Sequence, residues 1–263
     1  SNKKLLSPLP KNLYNSAKEY FSTKDLALLE TAYNVAFEAH KDQLRKEGSP
    51  YITHPIAVAT TLLDLNLDIE TVCSGLMHDV LEDSFIKKSY LEKLFGKEVA
   101  GIVDGVSNLN KLDFDSIEER NANNLQKMAL AMSKDIRVII VKLCDRLHNM
   151  RTIDFLPREK QIRKSIETLD LYGPIAIRIG MQNIRLELED LAFKCLHPMR
   201  ARMLESAIKE AVGGRKRIIS KLRKQFKYHL KNNDILATVQ GRQKSLYSIY
   251  SKIKQQKKPF SEI

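Results

Sequence analysis

A chain of 263 residues, 43% hydrophobic and 29% charged, has room for one large domain or a domain plus part of a second, and is too apolar to stay disordered. No apolar run approaches the roughly 20 residues that span a bilayer, and nothing at the start resembles a secretory signal, where Ser1-Asn2 without a Met suggests a processed start. The net charge of +12 is regional: residues 201–263 hold 16 Lys and Arg against 4 Asp and Glu, so the rest of the chain is neutral, with 28 of each sign. Basic tracts such as Arg215-Lys216-Arg217 and 254–258 come without RNP-like aromatics, zinc knuckles or glycine-arginine repeats. They read as solvated helix faces, and a nucleic-acid partner is not expected. Cys73, Cys144 and Cys195 stand singly in apolar segments without CxxC spacing, which argues against a disulfide framework and for a reducing, cytoplasmic setting with the thiols as core residues.

Apolar residues recur at helical spacing along most of the chain. Leu26, Leu29, Ala32, Tyr33, Ala36 and Phe37 form one stripe, and Ile56, Ala59, Leu62 and Leu63 a second. Turn signals separate the helices at Glu47-Gly48-Ser49-Pro50, at Asn66-Leu67-Asp68, around Gly96, and over the polar stretch Asn108 to Glu119. Val138, Val141, Leu143, Cys144, Leu147 and Met150 make a third stripe. A long basic helix is predicted from 207 to 232, interrupted near Gly213-Gly214, then a strand over Ile235–Val239, Gly241, and a helix to about Gln256. The expected fold is an all-α bundle. A lone strand and helix after it do not make a domain, so they read as the start of a second domain, cut short.

The chemistry-bearing residues are concentrated in VCSGLMHDVLED, Val72–Asp83. Taken as one helix, it sets His78 and Asp79 one turn before Glu82 and Asp83, while Val72, Leu76, Met77, Val80 and Leu81 face the core. One imidazole and three carboxylates in a buried helix need a compensating charge, and a divalent cation supplies it. Nitrogen and carboxylate donors suit Mn, Fe, Zn or Mg. In KLCDRLHNMR, Lys142–Arg151, Asp145 and Asn149 share a face, with Arg146 and Arg151 placed to receive an anion. His54, in YITHP, stands where a helix begins. Two imidazoles and two carboxylates leave positions open for water and substrate, as a catalytic metal centre requires. Each piece alone is commonplace; the combination predicts a metal-dependent phosphohydrolase.

These segments resemble the bifunctional Rel/SpoT alarmone enzymes, in the hydrolase domain of the HD superfamily. The likeness runs through RKEGSPYITHPIAVA, LMHDVLEDS, FGKEVAGIVDGVSNLNKL, AMSKDIRVIIVKLCDRLHNMRTI and LELEDLAF, spanning about residues 38–194, and HPMRARMLESAIKEAVGGRKRIISKL lies closer to the SpoT branch. The resemblance implies an HD-domain helical bundle that hydrolyses the 3′-pyrophosphate of ppGpp or pppGpp with Mn2+. It implies His54, His78, Asp79 and Asp145 as metal ligands and Glu82 and Asp83 as the catalytic carboxylates beside the attacking water. Arg45, Lys46, Tyr51, Asn149 and Thr152 would line the nucleotide pocket. The division implied is a hydrolase domain over 1–196, a helical linker over 197–232, and the beginning of an α/β synthetase domain over 233–263.

Two departures bear on this. Ile177, in GPIAIR, stands where the family usually carries histidine, with an effect expected on packing. GRQKSLYS, Gly241–Ser248, resembles the opening ATP-binding stretch of the synthetase domain, with Ser245 in place of histidine, and the remainder of that domain would lie beyond Ile263. Alarmone synthesis is therefore not expected of this chain, and regulatory partners would act through the C-terminal regions. A dNTPase or cyclic-nucleotide esterase, a non-catalytic alarmone-binding module, and a nucleic-acid-binding helical protein are the competing readings. The complete HD and ED pairs weigh against the second of these.

Overall fold

The computed structural model describes residues 8–110, 130, 134–213, 216–239 and 244–256. Helix α1 covers Lys11–Ala17 and α2 covers Thr23–His40. The start of α2 is fixed by a capping box, in which the Ser22 hydroxyl accepts from the Asp25 amide and the Asp25 carboxylate accepts from the Ser22 amide. After α2 the chain folds into a tight loop at 41–52, closed where the Arg45 amide donates to the Ser49 carbonyl (2.8 Å). Gly48 supplies the positive φ of +85° that this turn needs.

Helix α3, Thr53–Asp64, ends at Asn66 with φ +55°, and Asp68 then caps α4, Ile69–Met77, by accepting from the Thr71 amide. Every residue of α4 except Glu70 is buried. It is the central rod, packed on α2, α3 and the long α6, Lys88–Asn110. Helix α6 is bent at Gly96, where φ +84° takes the backbone out of helical geometry, in line with the expected turn. Helix α7, Ile136–Arg151, crosses α3, α4 and α6 and completes the core.

Beyond it come α8, Arg158–Glu167, a π-helical turn over Thr168–Tyr172, α9, Gly173–Arg178, and α10, Gln182–Leu196. Helices α11, Pro198–Gly213, and α12, Lys216–Asn232, lead to α13, Leu246–Gln256. A small second cluster, with Phe193, Ala201, Ile208, Leu246 and Ile249, joins α13 to α10 and α11. Among the described residues no helix is long and apolar enough to cross a membrane.

The three helical stripes lie where expected, in α2, α3 and α7. Other expectations need correction. Val72–Asp83 is not one helix: α4 stops at Met77, and a separate short α5, Val80–Asp83, follows the His78-Asp79 corner. Ile235–Val239 is not a strand; among the described residues it has no neighbouring strand to pair with, and Leu236 is fully exposed. Ile177 is 54% exposed, so its departure from the family pattern falls on the surface rather than in the packing. Residues 111–119 of the polar divider, Gly214 and Arg215 at the helix interruption, and 241–243 of GRQKSLYS lie outside the described residues.

At the contact of α3 with α4, Leu62 is fully buried and lies so close to Gly75 that a Cβ there would run into it. Leu62→Ala is expected to cost about 2–5 kcal/mol, read as a shift of the urea midpoint without a change in m-value.

Candidate metal centre and nucleotide cavity

The three helices that build the core also aim the polar side chains. His54 sits in the first turn of α3, His78 and Asp79 form the corner after α4, and Asp145 lies within α7. Ending α4 at Met77 turns the His78-Asp79 corner inward, and only the first turn of the following helix carries Glu82 and Asp83 toward the surface. His54, His78 and Asp145 each offer a ligand atom within 4.8 Å of the others'. The Nε2 atoms of His54 and His78 face each other at 3.2 Å, and Asp145 Oδ1 lies 3.2 Å from the first and 3.9 Å from the second. Asp79 Oδ2 closes the group, 3.0 Å from His78 Nε2 and 3.8 Å from His54 Nε2.

Surrounding contacts orient each donor. The Gly75 carbonyl lies 2.8 Å from His78 Nδ1 and can only accept, so the proton sits on Nδ1 and a neutral His78 turns the lone pair of Nε2 to the centre. The Tyr51 hydroxyl donates to Asp79 Oδ2 (2.6 Å). Asp145 accepts from Lys142 Nζ (2.6 Å) and from Asn149 Nδ2 (2.5 Å). Two imidazole nitrogens and two carboxylates, oriented from behind and almost wholly buried, fit a divalent cation.

The electrostatics agree. Burial opposes charge on Asp79 and Asp145, but the His78 imidazolium beside Asp79 holds its carboxyl well below the usual range. Lys142 and the two histidines do the same for Asp145. Burial lowers His54, while at His78 the Asp79 and Asp145 carboxylates override burial and raise it to about 9. Without a cation this centre therefore keeps a proton on His78 up to about pH 9. A cation must displace that proton, so metal binding is expected to release protons below pH 9 and to tighten as pH rises toward it. Calorimetry of metal binding in buffers of different ionisation enthalpy checks this.

Two cavities open beside the centre. The inner one, about 320 Å3, is lined by Tyr51, His54, Asp79, Glu82, Lys142, Asp145, Arg146, Asn149, Lys164, Glu167 and Tyr172, among others. The outer one, about 540 Å3, is lined by all of Arg45, Lys46, Tyr51, Asn149 and Thr152, with Leu44, Glu47, Leu156 and Lys164. Tyr51, Asn149 and Lys164 belong to both. Arg45 is aimed across the outer cavity by a hydrogen bond from Nη2 to Thr152 Oγ1 (3.0 Å) and by Glu47 at its Nε (3.0 Å). Among the residues expected from sequence, Glu82 reaches the inner cavity, whereas Asp83 lines neither. Burial and the Asp79 charge raise the Asp83 carboxyl, which leans on Tyr51.

Several residues of the site carry no obvious motif. Lys142 could have been found from its i,i+3 spacing to Asp145. His148 packs its Nδ1 2.8 Å from that of His54, and burial with the His54 charge lowers it to about 4. Lys164 and Glu167 sit in the highly charged α8, which reads as a solvated face. Arg151 is a correction in the other direction: its Nε and Nη2 both donate to Glu187 (2.6 and 2.9 Å), so it is not a free anion receptor. Arg146 is buried against Tyr172 and Glu167, with Nη1 lacking a partner.

The sequence matches the family model described as "HD domain" over residues 32–182. The chain belongs to the HD-domain family. The resemblance to the Rel/SpoT enzymes extends over most of its length. It is 44% identical over 252 residues to a protein of Vibrio cholerae named guanosine-3′,5′-bis(diphosphate) 3′-pyrophosphohydrolase, covering 96% of this chain and 36% of that one. It is 45% identical over 244 residues to the bifunctional (p)ppGpp synthase/hydrolase SpoT of Escherichia coli K12, covering 93% of this chain and 35% of that protein. The chain thus spans about a third of the length of these relatives. A solved structure of a metazoan ortholog of SpoT that hydrolyzes ppGpp covers 68% of this chain and 98% of its own, at 26% identity and a TM-score of 0.49.

Proposed function

We propose that this chain is a metal-dependent hydrolase that removes the 3′-pyrophosphate of (p)ppGpp, leaving GDP or GTP, with Mn2+ as its cation and the cytoplasm as its setting. The observation that carries the reading is the pairing of the two cavities around the His54–His78–Asp79–Asp145 centre. The inner cavity is polar, with Lys142, Arg146 and Lys164 to meet phosphate oxygens and Glu82 at its edge. The outer cavity is larger and has the Arg45 guanidinium on one wall and Leu44 and Leu156 on others, which suits a base and sugar. A nucleotide spanning both would set its phosphates against the centre. The names of the relatives support the same substrate.

His54, His78, Asp79 and Asp145 would hold the cation, which supplies Lewis acidity and lowers the pKa of an attacking water. The remaining work belongs to side chains of this chain. Glu82 stands at the inner cavity, where a carboxylate can take the proton of that water, and Asp83 stands one residue on beside Tyr51. Asn149 offers a polar group to both cavities and Thr152 one to the outer, where Arg45 and Lys46 supply positive charge. Residues 1–196 would form this hydrolase domain, 197–232 a helical linker and 233–263 the beginning of a synthetase domain. Regulatory partners would act through C-terminal regions of the kind the longer relatives have.

The test is to measure pyrophosphate release from ppGpp with Mn2+ and with EDTA. Metal-dependent release of pyrophosphate with GDP supports the reading. Release of single phosphates, or turnover of a dNTP or cyclic nucleotide in preference, would replace it with another HD phosphohydrolase.

Lys164 gives the proposal a pH dependence. Its burial and the neighbouring Arg146 charge lower it to about 8. It is therefore a cation below pH 8 and neutral above. KM for the anionic substrate is expected to rise about tenfold as pH passes from 7 to 9, the worth of one charge-assisted hydrogen bond. Lys164→Arg, which stays charged, should flatten that rise. A wild-type KM constant across this range would remove Lys164 from the binding site.

A further inference from the structure

Behind Tyr51 lies a group of side chains to which neither the metal centre nor the nucleotide cavities assign a task. His40, in the last turn of α2, is 1% exposed, and its ring stacks on Tyr51 with centroids 4.6 Å apart and planes at 30°. Its Nδ1 lies 2.9 Å from Gln43 Oε1. An amide oxygen only accepts, so Nδ1 carries the proton and Nε2 is a buried nitrogen with no hydrogen-bond partner. A buried polar atom left unsatisfied weakens the fold, and a residue that carries one needs another reason to be there.

Gln43 suggests the reason. Its side-chain Nε2 donates to the main-chain carbonyl of Asp83 (3.2 Å), and its main-chain carbonyl accepts from the Tyr51 main-chain amide (3.0 Å). One residue thereby ties together three pieces that the site depends on. The Asp83 carbonyl ends the four-residue α5, where no further helical turn exists to satisfy it. A helix of that length has little stability of its own, so its position is set by what holds its ends. Ser84 holds one side by donating to the Val80 carbonyl (2.7 Å), and Gln43 holds the other. Tyr51, fixed by Gln43 at its amide and by His40 at its ring, in turn presents its hydroxyl to Asp79.

We propose that Gln43, held in place by His40, is a positioning residue for hydrolysis, fixing the α5 turn that carries Glu82 and Asp83 together with the Tyr51 ring that anchors Asp79. It touches neither substrate nor cation. The proposal rests on the hydrolase reading above for its kinetic consequence, but its structural consequence stands independently.

The experiment compares Gln43→Met and Gln43→Glu in the whole chain. Methionine keeps the volume without the donor, and glutamate keeps the shape with no proton to donate to Asp83. Both are expected to lower kcat by about 10–100-fold, as is usual for residues that orient a metal site from behind, while KM for ppGpp stays within about twofold. His40→Phe keeps a ring against Tyr51 and removes the unsatisfied Nε2. It is expected to melt no lower than the wild type and still to turn over more slowly, a combination that a purely structural role does not produce. Hydrogen exchange at the amides of residues 82–86 supplies a readout without turnover, and Gln43→Met should accelerate it. A kcat within twofold of wild type in both Gln43 variants overturns the proposal. A wild type that releases nothing from ppGpp overturns the hydrolase reading instead. Unchanged exchange in Gln43→Met would then still overturn the strut.

Discussion

Replacing Asp79 by alanine is expected to reduce Mn2+-dependent pyrophosphate release by at least about a thousandfold, or about 4 kcal/mol of transition-state stabilisation. Asp79 Oδ2 lies 3.0 Å from His78 Nε2, and the Tyr51 hydroxyl donates to the same oxygen. Removing it takes one of four donors from the centre and one of two negative charges that offset a divalent cation. The remaining His54, His78 and Asp145 still converge, so some metal binding should survive, weakened, and excess Mn2+ should not restore the rate. The fold should tolerate the change, because the Asp79 side chain is 12% exposed at the cavity wall and its loss relieves the charge that raises Asp83. Circular dichroism and a urea melt close to wild type, beside abolished turnover, are the expected pair of results. An Asp79→Ala protein that kept a tenth of the activity would remove Asp79 from the ligand set.

How much of this was legible in the sequence depended on how far each residue's role is local. The helical stripes of α2, α3 and α7 are periodic over several turns, and the turns at Gly48, Asn66 and Gly96 carry residues suited to the backbone there; both kinds of signal act within a few residues. His78-Asp79 and Asp145-Asn149 were visible for the same reason. The break between α4 and α5 was not, because nothing in VCSGLMHDVLED forbids a continuous helix; tertiary contacts, including Gln43 on the Asp83 carbonyl, hold the bend. The roles of Lys164 and His148 arise only once α7 packs on α3 and α8 lines the same cavity as His54, across separations of about a hundred residues. Arg151 misled for the mirror reason: its partner Glu187 is 36 residues away on α10. At Ile235–Val239 the β-branched pattern was real, but a strand exists only in a pair.

The second large effect is on stability, and it isolates a pair that the chemistry alone would not reveal. Lys142 Nζ lies 2.6 Å from Asp145 Oδ2, with side-chain exposures of 13% and 5%. Burial works against the ammonium, yet Asp145 holds it above the ordinary lysine range. Asp145→Ala removes that partner and leaves a buried cation, which is expected to cost about 3–5 kcal/mol in the metal-free protein. The pH dependence should also reverse. In the wild type the raised Lys142 stabilises the fold at all pH values below its unfolded pKa of about 10.4, and this contribution is lost as pH rises through the folded value. The depressed Asp145 contributes above its unfolded pKa of about 3.9 and is lost as pH falls through its own folded value. In Asp145→Ala the largest charge opposing burial is gone and burial drives Lys142 below 10.4, so the unfolded chain binds more protons and stability rises with pH on the alkaline side. Lys142→Met combined with Asp145→Leu removes both charges and should recover most of the lost stability without recovering turnover. Wild type, Lys142→Met, Asp145→Leu and the combined variant form a double-mutant cycle, read by urea unfolding between pH 6 and 10 in EDTA. Strictly additive losses would mean that the two residues do not act as a pair, and that Asp145 is kept buried by the centre alone.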